Sequence, residues 1–253
     1  MKSFEEEFDR LRISLDRLQS RPGKIALFFR DDDVDEDETT LRTLLNVFLK
    51  HDTPVNLEVI PGRLSSSATG LLHRYLKLRP DLFEINQHGW LHINHEPEGR
   101  KCEFGPSRSF DQQLTDLANG QKILEDAFNH AFSRVFTPPW NRCVTGTFRA
   151  LDQLGFEALS KKRGGDPVVG YSFREISVTL DLYHWKDGVK MKTPDEIVRE
   201  LILQMSEFDL IGIMLHHKVM DEPAYKMLDS LLAELRRRQF IDFHTFQSLL
   251  KAS

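Results

Sequence analysis

Two cysteines in 253 residues, Cys102 and Cys143, are too few for a disulfide framework. No apolar run is long enough to cross a bilayer. The first residues, Met1-Lys2-Ser3-Phe4-Glu5-Glu6-Glu7, are acidic and lack the apolar centre of a secretory signal. An excess of basic residues is missing too. The 34 Lys and Arg against 39 Asp and Glu leave a formal charge of −5, so nothing points to nucleic acid or an anionic membrane as a partner. No linker, charge block or low-complexity segment divides the chain. These absences leave the expectation of one cytoplasmic domain over residues 1–253, with no membrane span and the oligomeric state open.

What is present is an alternation of patterns. Phe4, Phe8, Leu11, Leu15 and Leu18 recur at helical spacing, so residues 2–19 read as an amphipathic helix, ended by Arg21-Pro22-Gly23. Lys24–Phe29 is a short, nearly continuous apolar run of the kind buried on both faces of a parallel sheet. Helical stretches at 39–51, 67–77, 110–131, 145–154, 194–207 and 222–238 then alternate with strand-like runs at 54–60, 82–85, 134–136, 156–160, 175–182, 210–215 and 240–243. A polar loop at 94–109 and a Gly-rich loop at 163–170 interrupt the series. Strands alternating with helices predict an α/β fold, a barrel or an open wound sheet of about eight strands.

Four of these strands end in chemically unusual residues: Asp31-Asp32-Asp33, His88 to His92, Pro138-Pro139-Trp140, and His216-His217. In parallel α/β folds the loops after the strands meet on one face, so such groups converge there. Two imidazoles four positions apart with one carboxylate make a three-ligand metal set that keeps coordination positions open, as catalytic zinc sites do. A second carboxylate within reach could act as general base. His51, His73, His130, His184 and His244 lie away from the strand ends and read as surface or locally bonded, with His184 the one closest to a motif.

The ordered set resembles the polysaccharide deacetylase family, the NodB-homology or carbohydrate esterase 4 type. Ala26-Leu-Phe-Phe-Arg-Asp-Asp-Asp33 is similar to its first motif, His88-x3-His92 to its second, Thr137-Pro138-Pro139-Trp140 to its third and Met214-Leu215-His216 to its fifth, across about residues 24–217. The resemblance implies a distorted (β/α) barrel of seven or eight mostly parallel strands. It also implies a metal-dependent hydrolase that removes an acyl group, expected to be acetyl, from an N-acetylated sugar by attack of a metal-bound water.

Carried over residue by residue, Asp32 becomes the base, Asp33, His88 and His92 the metal ligands, and His216 the acid, with His217 able to replace or orient it. A register one residue earlier, Asp31 and Asp32, is the alternative, and His95 is a rival imidazole. The cofactor implied is a divalent metal, zinc first, with nickel, cobalt or manganese also admissible. Trp90, Pro139, Trp140 and Arg142 are the candidate substrate-binding residues, since aromatic faces stack on sugars, although the tryptophans equally suit a wall of the barrel mouth. The loop from His95 to Gly105 is expected to bind ligand, and Cys102 within it to be an ordinary thiol.

Departures from the family pattern are specific. Thr137 stands where the third motif has an arginine that pairs with the base, leaving Arg30 or Arg142 to supply the cation. Val34 replaces a glycine. The fourth motif is blurred, with Asp181, His184 and Trp185 nearest to it. Two other functions stay open: hydrolysis of cyclic imide or amide C–N bonds on the same scaffold, and a carbohydrate-binding protein without turnover.

Overall fold

The structure is a computed structural model that describes residues 4–20, 23–36, 38–164, 168–186 and 188–252. Residues 2–3, Arg21-Pro22 and the centre of the Gly-rich loop lie outside these. Helix α1 (Phe4–Leu18) buries Phe8, Leu11 and Leu15. Strand β1 (Ile25–Val34) follows, then α2 (Thr39–Lys50), β2 (Val55–Val59), α3 (Ser66–Leu78), β3 (Phe83–His88), α4 (Phe110–Phe128), β4 (Phe132–Thr137) and α5 (Thr145–Gln153). The second half runs β5 (Ala158–Leu159), β6 (Arg174–Glu175), β7 (Leu180–Asp181), β8 (Tyr183–His184), β9 (Lys190–Met191), α6 (Pro194–Glu207), β10 (Leu210–Leu215), α7 (Glu222–Leu235), β11 (Ile241–Phe243) and α8 (Phe246–Lys251).

The main sheet is parallel throughout, in the order β6-β5-β4-β3-β2-β1-β10-β7, with β11 also paired to β1. It is a curled, distorted (β/α) barrel. The single strand expected at 175–182 becomes two short pieces because it serves both ends of the sheet. Its amides at Arg174, Ile176 and Val178 bond to Glu157, Leu159 and Lys161, whereas those of Thr179 and Leu182 bond to Gly212 and Met214. β8 and β9 form a small antiparallel hairpin beside it. The apolar run expected to end at Phe29 continues as strand to Val34, which carries the acidic triplet into the sheet. Helix α4 stops at Phe128, short of 131, where Asn129 takes a left-handed φ of 49°.

Alternation along β1 assigns the faces. Leu27 and Phe29 point outward into the large core under the helices, where α2 buries Leu41, Leu44, Leu45 and Phe48 at helical spacing. Each such fully buried side chain contributes about 1.5–3 kcal/mol. Phe28 points inward, among Val135, Ala158, Ile176, Val178 and Met214. Gly212 on β10 permits this: a Cβ there would lie 2.3 Å from the Phe28 ring. Helix α8, which had no counterpart among the expected elements, joins the same interior cluster through Phe246 and Leu249.

Candidate metal centre and active site

The sheet delivers Arg30 and Asp32 to the inside of the barrel and Asp31 to the outside. Arg30 is fully buried and grips Asp32 with two bonds, Nε to Oδ1 at 2.8 Å and Nη2 to Oδ2 at 2.9 Å. Its other donors reach the Ser160 carbonyl and hydroxyl (3.2 and 3.1 Å) and Asn141 Oδ1 (2.8 Å). A bidentate guanidinium of this kind fixes a carboxylate in one orientation. Of the two cations considered for this role, Arg30 holds the aspartate, and Arg142 instead donates to the Lys101 carbonyl at 2.9 Å. Thr137 is fully buried.

Strict alternation would turn Asp33 outward. A left-handed φ of 72° at Asp33 and a shift in the β1–β2 register between Asp31 and Val34 turn it inward instead. Its Oδ1 then lies 3.3 Å from His88 Nε2 and 3.2 Å from His92 Nε2. His92, Trp140 and Asn141 also adopt positive φ (56°, 56° and 57°), so uncommon backbone conformations gather at this end of the barrel.

His88 Nδ1 donates to the Thr137 carbonyl at 3.0 Å, which leaves Nε2 as the ligating nitrogen. The loop that carries His92 is braced by Glu103, whose buried carboxylate accepts the amides of Trp90, Leu91 and Ile93 at 3.0, 2.7 and 3.3 Å. Gly89 makes room for the brace, because a Cβ at that position would stand 2.1 Å from Glu103 Oε2. The polar loop expected to bind ligand thus supports the histidines from behind.

Burial opposes ionisation of Asp33, but the hydrogen bond from His88 and the nearby imidazoles hold its carboxyl well below the usual carboxylate range. Burial likewise opposes protonation of His88; Asp33 reverses that, helped by Asp32 and Glu58, and lifts it to about 9. His92 falls to about 4, from burial and from the charge on His88. Two imidazole nitrogens thus converge within 3.3 Å of one carboxylate oxygen, Asp33 Oδ1. Asp33, His88 and His92 form the one metal-capable cluster among the described residues, and their donor set suits a divalent cation. Apart from its contacts to these two imidazoles, Asp33 Oδ1 is buried with no further partner.

His216, just past β10, places Nε2 3.8 Å from Asp32 Oδ2, and its ring meets Trp185 edge-on at 4.5 Å. Asp181 accepts the Tyr183 amide (3.0 Å) and the Trp185 indole N–H (2.7 Å). Burial raises the Asp181 carboxyl, and the charge of His216 pulls it back.

A cavity of about 320 Å³ opens over these groups. It brings together Asp32, Asp33, His88, His92, Trp140, Arg142 and His216, and adds Asn141, Lys162, Asp181, Trp185 and Met214. Trp140 packs on His92 at 4.4 Å.

Other expected site residues lie elsewhere. His217 is fully buried on the outer face and is bound by Asp31 through both its amide (2.9 Å) and its Nδ1 (2.7 Å). Trp90 packs with the Phe104 and Phe136 cluster, and Pro139 is buried behind Gly89. His95 is exposed, and His184 faces Glu196 at 3.3 Å. Burial raises the Cys102 thiol, which donates to the Arg142 carbonyl. Asn141 and Lys162 were absent from the sequence expectations: nothing in spacing marks them, although Asn141 adjoins the Trp140 motif.

No protein-family model matches the sequence, and no curated protein matches it. Solved structures do. A protein from Mycobacterium smegmatis assigned as a polysaccharide deacetylase superposes with a TM-score of 0.71 at 17% identity, over 92% of this chain and 91% of the other. A family 4 acetyl xylan esterase from Clostridium thermocellum, in complex with cobalt, gives 0.63 at 17% identity over 90% and 91%. A peptidoglycan deacetylase from Bacillus subtilis gives 0.58 at 16% identity over 92% of each chain. The chain therefore has the fold of the polysaccharide deacetylases and family 4 carbohydrate esterases. Among the described residues, no helix is long and apolar enough to cross a membrane.

Proposed function

We propose that the chain works over its whole length as one catalytic domain, a divergent polysaccharide deacetylase. Its reaction is metal-dependent hydrolysis of an acyl group, acetyl first, from an N-acetylated sugar. The observation that carries this reading is the pairing of two units at one mouth: the Asp33–His88–His92 cluster and the Arg30-clamped Asp32 beside His216. A divalent cation held by the first unit, with zinc the first choice, would polarise the acyl carbonyl. Asp32 has its oxygens aimed by Arg30 and takes the proton of the attacking water. His216 hands a proton to the departing nitrogen as the C–N bond breaks, which an amine leaving group requires. Trp140 and Trp185 flank the cavity and offer faces for a sugar ring.

The clamp on Asp32 favours turnover over mere binding, since a binding protein has no use for an oriented buried base. The assay is acetate release from N-acetylglucosamine and its oligomers by protein stripped of metal and then reloaded with zinc, cobalt or nickel. Release that depends on metal is expected, and His92→Ala should lose stoichiometric metal while staying folded. A folded protein that takes up no divalent metal under any loading condition would sink the proposal.

A further inference from the structure

The charges around the cavity do not balance within the chain. Each carboxylate that lines it has a partner of its own: Asp32 has Arg30, Asp33 has the two imidazoles, and Asp181 has the Tyr183 amide and the Trp185 indole. Two cations on the same lining, Arg142 and Lys162, have no carboxylate partner among the described residues. This is notable in a chain of net charge −5. Both are placed by fixed backbone. Arg142 follows the turn after β4 and is aimed by its bond to the Lys101 carbonyl. Lys162 follows β5 and is bridged to Val178 at the seam of the barrel. Strands β4 and β5 are neighbours, and both cations line the same cavity. Asp32, Asp33 and His216 come from β1 and β10, themselves neighbours in another part of the sheet.

We propose that Arg142 and Lys162 form a subsite for an anionic substituent, a carboxylate or a phosphate, so that the substrate is a negatively charged acylated sugar. This rests on the deacetylase reading. A guanidinium presents a planar fork that matches either anion, and an ammonium adds a mobile point charge beside it. Arg142 and Lys162 line the same cavity as Asp32, Asp33 and His216, so one bound sugar can meet the acid pair and the two cations together. A cavity of about 320 Å³ accommodates one such sugar.

The test measures binding and not turnover, using ligand-observed NMR titration of metal-free protein. The probes are N-acetylglucosamine, its 6-phosphate, N-acetylmuramic acid as the carboxylate arm, and inorganic phosphate. At least one anionic sugar should bind about tenfold more tightly than the neutral one. Added salt should shrink that margin, and it should vanish in the Arg142→Ala/Lys162→Ala variant, checked for folding by circular dichroism. The stronger arm identifies phosphate or carboxylate as the preferred anion. Equal affinity for neutral and anionic sugars, no binding of either anionic sugar, or a preference that survives the double substitution would overturn the subsite. So would inorganic phosphate binding as tightly as the sugar phosphate. Protein that prefers the anion yet releases no acetate keeps the subsite and loses the proposed reaction.

Discussion

Two acid–histidine pairs sit one residue apart in this chain and end in opposite environments. Asp32 and His216 face the barrel interior, 3.8 Å apart at the cavity, with the aspartate gripped by Arg30. Asp31 and His217 face the helices, fully buried and 2.7 Å apart, joined again through the His217 amide. The residue types are the same and the partner strands are the same. Strand alternation sends one pair to the helices, where it is held at bonding distance, and the other to the cavity, where it stands 3.8 Å apart. The outer pair ties β1 to the turn after β10. The inner pair leaves room for a substrate.

The largest effect should come from breaking the inner pair. Asp32→Asn cannot accept a proton, and turnover should fall about 10²–10⁴-fold with metal content unchanged, measured by acetate release and metal analysis on the same sample. Asp31→Asn should spare turnover per folded molecule. If Asp31→Asn abolishes turnover and Asp32→Asn releases the metal, the roles are shifted by one residue and the contrast drawn between the pairs is wrong.

Breaking the outer pair should show in stability. Removing the charge that faces His217 should cost about 3 kcal/mol in urea unfolding, because a buried partner is left behind. The loss has a defined dependence on pH. Burial pushes the His217 imidazole down, but Asp31 overrides this and raises it above its ordinary value of 6.5. The pair's contribution is therefore full below pH 6.5 and fades as pH rises through the raised value. The gap between the protein and Asp31→Asn should narrow in alkali. A gap that widens instead would mean that His217 is neutral in the fold.

A third acid sharpens the comparison by asking whether facing inward is enough. Glu58 on β2 is buried beside Arg30, Asp32 and His88, but Arg30 spends its donors elsewhere. Burial, which Arg30 only partly offsets, lifts its carboxyl to about 8. Between pH 4.5 and 8 the unfolded chain gives up this proton and the folded one keeps it, so Glu58 erodes stability as pH rises through that window. Glu58→Gln should remove the erosion. Relative to the parent it should gain about 2–3 kcal/mol between pH 5 and pH 7 in paired urea titrations. No gain would place an ionised Glu58 in the barrel.

Much of this was legible in residue patterns. The helix at 194–207 and the strand at 210–215 match α6 and β10, because Thr193 and Pro194 open the helix and five of the strand's six residues are apolar side chains. The convergence of Asp33, His88, His92 and His216 followed from strand ends. His217 could have been placed by alternation, since Met214 and His216 share one face of that stretch and Leu215 and His217 the other. Asp33 could not: alternation points it outward, and only the left-handed turn of its backbone brings it in. Glu58 was hidden because strand patterning reads a lone acid as solvent-facing. The strand at 175–182 misled for a different reason, since pairing with two different partners breaks a run that its sequence presents as continuous.

The pairing of β1 with β2, β10 and β11 also has a consequence in time. Asp33, His88 and His92 all lie within the first 92 residues, so a growing chain owns its candidate ligands early. The strand that carries Asp33 waits for β10 at residues 210–215 before its second edge is covered. Contacts this distant in sequence slow folding, and they leave the edge of a half-made sheet open in the interval. During synthesis Asp33 is thus carried on a strand with one edge uncovered until β10 has been made.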